Sequence, residues 1–345
     1  MNGIFLVERE RVAVHDDLRN VECPADGVVV RVRACGICGG ELKHYRESQG
    51  PYPVFMGGHE FTGTVTGVGA EVSEFEVGDE VIQCYGTHCG KCVNCRLGIP
   101  SFCLAQRRLT NPGGGFADFV AVVTPAGGAG LFPRPASFSD VVAAACEPAG
   151  CAISAALRSR PEPGQWAAVI GLGAIGHFIC QTLHSMGVRV IGIDVNANRI
   201  RAAQPYCAET IDSTTRDSIM TVREITGGVG ADRSFEAVGI EATLAATLQM
   251  TRVGGIALLA GVFRHPVANF DPEWIFRRDL TVIGGKGQPR VTAQGEPLAI
   301  DFFRRGLIRS EGVVTAFPRS QAAEAFAAQN SHAVLKAVII TEVSA

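Results

Sequence analysis

The stretch from Trp166 to Val195 narrows most what this chain can fold into. An apolar run, WAAVI, ends in a turn whose Gly171, Gly173 and Gly176 are spaced G-x-G-x-x-G. A helical pattern follows, HFICQTLHSMG, and then a second apolar run, VRVIGIDV, in which Asp194 stands 23 residues beyond Gly171. The glycine spacing is common in proteins. Its setting between a strand and a helix gives it weight. The alternation continues through NRIRAAQPYC (helix), ADRSFEAVG (strand), a helix around 241–252, GGIALLAGV and LTVIGG. Strands that alternate with helices at this spacing imply a parallel sheet.

Such a turn is suited to a dinucleotide. Gly171 permits the tight turn, Gly173 lets a pyrophosphate approach the backbone, and Gly176 lets helix and sheet pack closely. The helix that opens at Ala174 and Ile175 then offers free N–H groups to the phosphates. Asp194 is placed to accept hydrogen bonds from adenosine ribose hydroxyls and would repel a 2′-phosphate, which predicts NAD rather than NADP. Arg199, about a turn further on, covers the adenine, interacts with Asp194, or is a solvated helix residue.

At 345 residues the chain is too long for one compact core and suits two domains. Residues 150–292 form the predicted Rossmann domain, a doubly wound parallel sheet. Residues 1–149 read mainly as β: VVVRVRACGI, EFTGTVTGVG, DEVIQCYG and FADFVAVV are short apolar or alternating runs broken by turn signals. They predict a small barrel or sandwich. Residues 293–345 add helix (LAIDFFRRGLI, QAAEAFAAQ) and a last strand, LKAVIITEV. The net charge of −3 gives no reason to expect a nucleic-acid partner. The most apolar segment, VVAAACEPAGCAISAAL, carries Glu147 and Pro148 and reads as too short to span a bilayer, so no membrane partner is expected. Twelve cysteines without an export signal suggest a reducing cytoplasm, with thiols serving metal or core.

Four of those cysteines, Cys89, Cys92, Cys95 and Cys103, form C-x2-C-x2-C-x7-C within a lobe of about residues 84–104. Four thiolates so close in sequence suit one tetrahedral zinc with no open position, a site that orders a loop. An iron–sulfur cluster is the second metal reading, and unrelated thiols or disulfides the third. A different set, Cys38, His59, Glu60 and Glu147, offers sulfur, imidazole and carboxylates. Catalytic zinc sites have such mixed donors, but spacing alone does not bring these residues together.

The whole chain resembles a zinc-dependent medium-chain dehydrogenase/reductase of the alcohol dehydrogenase superfamily, nearest its sorbitol, threonine and butanediol dehydrogenase branch. The resemblance rests on GICGGE around Cys38, GHEFTGTVTGVG, the four-cysteine lobe, EPAG at Glu147, and VIGLGAIG with Asp194, in the family's order up to about residue 290. It implies a GroES-like β-rich catalytic domain (1–149 and 293–345), an inserted Rossmann domain and an active site in the cleft. It implies two zinc ions per chain. Cys38, His59 and Glu60 would hold the catalytic one, with Glu147 as a further ligand or beside its water, and Cys89, Cys92, Cys95 and Cys103 would hold the structural one. Gly171, Gly173, Ala174, Ile175, Gly176, Asp194 and Arg199 would contact NAD, and Gly261–Val262 and Gly285–Lys286 would flank the nicotinamide. The implied activity is hydride transfer between NAD and a secondary alcohol (a polyol, cyclitol, diol or amino alcohol) in a homodimer or homotetramer.

One departure matters. After the ligand cysteine the family reads Cys-Gly-Ser/Thr-Asp, whereas this chain reads Cys38-Gly39-Gly40-Glu41. Gly40 lacks the hydroxyl that starts the usual proton relay. Glu41 stands where an Asp normally orients the ligand histidine. Three readings are open. Glu147 or Glu41 passes the proton through water; a neighbouring substrate hydroxyl replaces the missing one; or the chain is a NAD-binding family member with an altered reaction or none. Lys43, His44, Arg46, Arg107, Arg108 and Arg290 would suit an acidic or phosphorylated substrate, or simply lie on the surface.

Overall fold

The computed structural model describes all residues except 17, 85–88, 98, 100–101, 106–113, 125–129, 287–291, 293–295 and 342–345. Arg107, Arg108 and Arg290 therefore lie outside the described residues, as do parts of the expected lobe. The chain divides into two compact units. One comprises Met1–Pro148, Val291–Ile300 and Ser310–Ala345, the other Ala149–Arg290 and Asp301–Arg309.

The first unit opens with β1 (Gly3–Glu8), β2 (Arg11–His15), β3 (Gly27–Gly36), α1 (Gly39–Glu47), β4 (Val54–Phe55), β5 (Glu60–Val68) and β6 (Glu80–Gln83). A short α2 (Val93–Arg96), β7 (Phe119–Val123), β8 (Leu131–Pro133) and α3 (Asp140–Arg158) come next. The helix α1 has two glycines in its first turn, poor helix formers. It is nucleated by a capping box: Glu41, at its third position, accepts the backbone N–H of Cys38 at 2.9 Å. The segment expected to be too short for a bilayer lies within the 19-residue α3, because Asp140 and Arg158 extend it. It meets the length and apolarity of a span, but 72% of its apolar window is buried inside the protein, so it is a core helix.

The second unit contains β9 (Trp166–Ile170), α4 (Ala174–Ser185), β10 (Arg189–Asp194), α5 (Ala197–Ala203), β11 (Glu209–Asp212), α6 (Ser218–Ile225), β12 (Ala231–Glu236), α7 (Glu241–Met250), β13 (Thr251–Leu259), α8 (Glu273–Phe276) and β14 (Thr281–Gly284). Its six strands are all parallel in the order β11-β10-β9-β12-β13-β14. The chain starts in the middle, winds one way to β11 and then the other way to β14. This is the doubly wound topology, whose crevice lies where the order reverses, between β9 and β12. Burial of β9 from Ala167 to Ile170 fits a strand covered on both faces. Arg233 on β12 donates to the carbonyls of Ser159 and Arg160 and so satisfies the end of α3.

The chain continues through α9 (Leu298–Arg304) and closes the first unit with β15 (Val314–Pro318), α10 (Ala322–Asn330) and β16 (Lys336–Ile340). That unit holds a seven-stranded sheet, β15-β16-β3-β5-β6-β8 with β7 also on β3, and a smaller sheet β2-β1-β4. Phe326 of α10 packs on Tyr45 of α1 and on Phe116, with ring centroids 5.5 and 5.6 Å apart, and so seats α10 beneath α1. In the larger sheet, Gly36 on β3 lies opposite Glu60 on β5 and opposite Val338 on β16. This register makes the residues just beyond Gly36 converge with those just before Glu60 and just before Val338.

Candidate active site and metal centres

At that convergence, one donor atom from each of Cys38, His59 and Glu60 lies within 4.8 Å of the others. Glu60 is buried, while the His59 ring is about half exposed. A Cβ at Gly36 would lie 2.2 Å from a Glu60 oxygen, so glycine is needed there for the carboxylate to fit. The second ring nitrogen of His59, Nδ1, bonds to Glu41 Oε1 at 2.9 Å. Glu41 thus uses one oxygen to cap α1 and the other to orient the imidazole, an arrangement that metal-ligating histidines generally need.

The electrostatics suit a cation. Burial pushes the Cys38 thiol up and Glu60 pushes it further, against a hydrogen bond from His59. Desolvation pulls His59 down, but hydrogen bonds to Cys38 and Glu41 outweigh it and the imidazolium is pushed up to about 12. Burial raises Glu41, yet its bond to His59 leaves its carboxyl below the usual range. A thiol, an imidazole and a carboxylate facing one point, with a carboxylate behind the imidazole, form a fitting donor set for a zinc with an open position. Glu147, buried on α3, stands outside this three-residue cluster. It is near enough to act electrostatically on Lys336.

Lys336 was not foreseen from sequence. Its side chain is 4% exposed and forms an ion pair with Glu60. It also donates to the Ile37 carbonyl at 2.8 Å. Burial opposes its charge, but Glu60 and Cys38 more than compensate and its pKa is raised. The available signal was a lysine opening the otherwise apolar strand KAVII.

The four lobe cysteines also bring their sulfurs within 4.8 Å of one another. Cys92 lies 3.5 Å from Cys95 and 3.9 Å from Cys103, and Cys103 lies 3.5 Å from Cys89. Four sulfurs at about 2.3 Å from one tetrahedral zinc are separated by about 3.8 Å, so the set fits a single ion. An iron–sulfur cluster would spread its thiolates over several irons. Backbone N–H groups of Cys95 and Leu104 hold the Cys92 thiol down to about 6, and those of Lys91 and Cys92 lower Cys89. These donors favour thiolate, the form that binds metal, at Cys92 and Cys89, whereas desolvation and the neighbouring Cys92 and Cys103 sulfurs push the Cys95 thiol up to about 12.

In the second unit the three glycines serve three ends. Gly171 has φ +91°, a left-handed conformation that favours glycine. A Cβ on Gly176 would lie 1.7 Å from the Gly171 oxygen. At Gly173 a Cβ would meet nothing within 4 Å, which leaves open the space a pyrophosphate would take. Gly173 caps α4 without a side chain, so the N–H groups of Ala174, Ile175 and Gly176 begin a 12-residue helix free to receive phosphate. Asp194, at the end of β10, accepts N–H groups from Leu172 (2.7 Å), Val195 (2.8 Å) and Asn196 (2.9 Å). It therefore fastens the glycine turn to the neighbouring strand. Arg199 faces it at 3.7 Å, in keeping with the Asp194-pairing reading. Gly261–Val262 and Gly285–Lys286 follow the carboxyl ends of β13 and β14, at the same sheet edge as the glycine turn. Sequence reading missed Glu236 there. Its buried Oε1 accepts the N–H groups of Val238 and Gly239 and the Thr243 hydroxyl, at 2.9, 2.7 and 2.6 Å, and shapes the turn after β12.

A zinc-suited cluster beside a GroES-like sheet, together with a dinucleotide-type doubly wound sheet, defines the class. The chain belongs to the zinc-binding dehydrogenases of the alcohol dehydrogenase family, which work with zinc and a nicotinamide cofactor. Residues 24–133 match the alcohol dehydrogenase GroES-like domain, and residues 174–294 match the zinc-binding dehydrogenase domain. The chain is 30% identical to D-arabitol-phosphate dehydrogenase of Enterococcus avium, over 90% of this chain and 88% of that protein. It is 33% identical to L-threonine 3-dehydrogenase of Bacillus subtilis, over 76% of each. The crystal structure of benzyl alcohol dehydrogenase from Acinetobacter calcoaceticus shares the fold at a TM-score of 0.87 and 20% identity, covering 99% of both chains.

Proposed function

We propose that this protein is a NAD-linked zinc dehydrogenase that oxidises a secondary alcohol, drawn from polyols, cyclitols, diols and amino alcohols, to the ketone. The observation that carries the reading is the mixed cluster of Cys38, His59 and Glu60 with Glu41 behind the imidazole, since a purely structural metal would not need an open donor set. When bound, zinc supplies Lewis-acid polarisation of a substrate oxygen and NAD supplies the hydride acceptor. The chain's own residues hold, orient and deprotonate. Cys38, His59 and Glu60 are the metal ligands and Glu41 fixes the His59 tautomer. Glu41 serves Cys38 and His59 with its two oxygens, and Glu147, buried and close enough to act on Lys336, is the proton carrier assigned in place of the hydroxyl missing at Gly40.

The first unit is the catalytic domain and the second the NAD domain, a division that the two family matches support. Ala174, Ile175 and Gly176 face the pyrophosphate, Asp194 the ribose, and Gly261, Val262, Gly285 and Lys286 the nicotinamide end. The two named dehydrogenase relatives act, by name, on a polyol phosphate and an amino alcohol, which supports a polar substrate. The cytoplasm is the proposed location, and a homodimer or homotetramer the assembly. For assembly, β14 is the edge strand of its sheet among the described residues and exposes Val282, and Phe276 of α8 is 85% exposed.

The decisive experiment measures zinc per chain and NADH formation with a panel of polyols, cyclitols, amino alcohols and diols. Two zinc ions and turnover on a panel alcohol are expected. Two zinc ions with no turnover in either direction would favour a family member that has lost the reaction. Asp194→Ser should relax selection against NADP, at a stability cost of about 1–3 kcal/mol from the orphaned N–H groups. An unchanged preference in initial-rate assays would assign cofactor choice to another residue.

A further inference from the structure

The proposed metal ligands are held by a second layer contributed by the far end of the chain. Antiparallel pairing of Val338 with Gly36, continued two residues, brings Lys336 level with Cys38. The hydrogen bond from Ile37 N–H to the Ala337 carbonyl, at 3.0 Å, agrees with that register. From this place the Lys336 ammonium reaches both Glu60 and the carbonyl of Ile37, the residue before Cys38. The same carbonyl accepts Gln329 Nε2 at 2.7 Å, while Gln329 Oε1 accepts the Ala337 N–H at 2.6 Å. Gln329 lies three residues after Phe326 on α10, so the ring that seats the helix and the amide that grips the strand share a face.

We propose that Lys336 is a positioning residue for the metal site, fixing Glu60 and the Cys38 backbone together and supplying a charge that the ligand set lacks. The inference rests on the metal reading given above. Cys38 and Glu60 face the metal position, Glu41 stands behind the imidazole, and Glu147 is near enough to act on Lys336, so the site gathers more negative charge than one divalent ion cancels. The Lys336 ammonium offsets part of that excess. Gln329 shares the backbone task without charge and is the natural internal comparison. A buried lysine with only a packing role would not need to touch a ligand carboxylate and the carbonyl beside a ligand thiolate at once.

The test uses the full-length protein with cobalt(II) exchanged into the site of Cys38, because the cobalt–thiolate absorption reports that site separately from the lobe. Lys336→Met keeps the length and removes the charge, and Lys336→Arg keeps the charge and displaces it. Lys336→Met should weaken metal at this site by about 10- to 100-fold and alter the cobalt bands, while the lobe keeps its zinc and the circular dichroism is unchanged. Lys336→Arg should restore occupancy with shifted bands. Wild-type affinity and spectrum in Lys336→Met would overturn the proposal, as would a lowered melting temperature with an unaltered spectrum. Should Lys336→Met fail to fold, unshifted bands in Lys336→Arg would overturn it alone. A wild-type protein that takes only one metal per chain would sink the metal reading itself, and this inference with it. Two metals in wild type, with wild-type metal affinity and unaltered bands in Lys336→Met, would remove only the role given to Lys336.

Discussion

The two proposed cysteine-bearing metal centres differ in how the chain builds them. The lobe draws four like donors from a span of 15 residues, Cys89 to Cys103, and needs little beyond its own loop and the backbone N–H groups that favour thiolate. The other centre draws unlike donors from β3–α1 and β5 and is braced by β16 and α10, nearly 300 residues away in sequence. A locally built site with every position filled contributes to folding. A site assembled by strand register, with mixed donors, spends the fold's stability on holding an open position.

If that distinction is right, the largest effects divide cleanly. Cys95→Ser should destabilise the whole chain, because structural zinc in small domains contributes about 10–16 kcal/mol, as much as the stability of an ordinary domain. Poor recovery of folded protein and one metal fewer per chain are expected. Cys38→Ser should bring turnover to background with the thermal transition little changed. A stable, zinc-free Cys95→Ser protein, or a Cys38→Ser protein that turns over normally, would erase the comparison. Chelation should show the same order over time. One zinc leaves first with all the activity while circular dichroism is constant, and the second leaves only as the protein unfolds. Loss of the lobe metal first, with activity intact, would reverse the assignment.

The same contrast decides what the sequence revealed. The lobe, the glycine turn and Asp194 were legible because each is a local pattern whose parts act within one turn or one βαβ unit. The second metal cluster was legible only through family resemblance, since nothing in spacing says that β3 pairs with β5 at Gly36 and Glu60. Lys336, Gln329 and Glu236 left almost no trace. Lys336 is the one polar residue of its strand, while Gln329 and Glu236 sit among other polar residues of α10 and β12, and the importance of all three comes from contacts outside their own elements. The helix α1 was hidden for a related reason. Its two leading glycines argue against a helix, and the Glu41 side chain that offsets them is also the one orienting His59.

Within the cofactor turn, two glycines should respond in opposite ways. Gly176→Ala forces a Cβ to 1.7 Å from the Gly171 oxygen, so fold stability should drop by about 1–3 kcal/mol or more. Gly173→Ala meets nothing within 4 Å, so its melting temperature should stay at the wild-type value. Its NAD dissociation constant should instead rise by about tenfold, or 1.4 kcal/mol, because the methyl group occupies the space left for pyrophosphate. Calorimetry with and without NAD separates the two effects. A Gly173→Ala protein that binds NAD normally would mean that the dinucleotide does not lie against this turn.

The smallest change concerns the residue that departs from the family. Gly40 is exposed in the first turn of α1, and a Cβ there would touch nothing within 4 Å, so Gly40→Ser should be accepted without strain. The helix should gain a few tenths of a kcal/mol from replacing glycine, which makes any change in turnover chemical in origin. If the missing hydroxyl limits proton removal, the serine should raise turnover on simple secondary alcohols, up to about 10²-fold, and do less for diols that bring a second hydroxyl of their own. Equal turnover on both classes would show that the proton already has a route. Glu147→Gln would then be the next variant, because Glu147 is a buried carboxylate whose charge reaches Lys336 beside this site. A Glu147→Gln protein that keeps its second zinc but loses turnover, with the loss partly restored by Gly40→Ser, would make the carboxylate and the hydroxyl interchangeable carriers of the same proton.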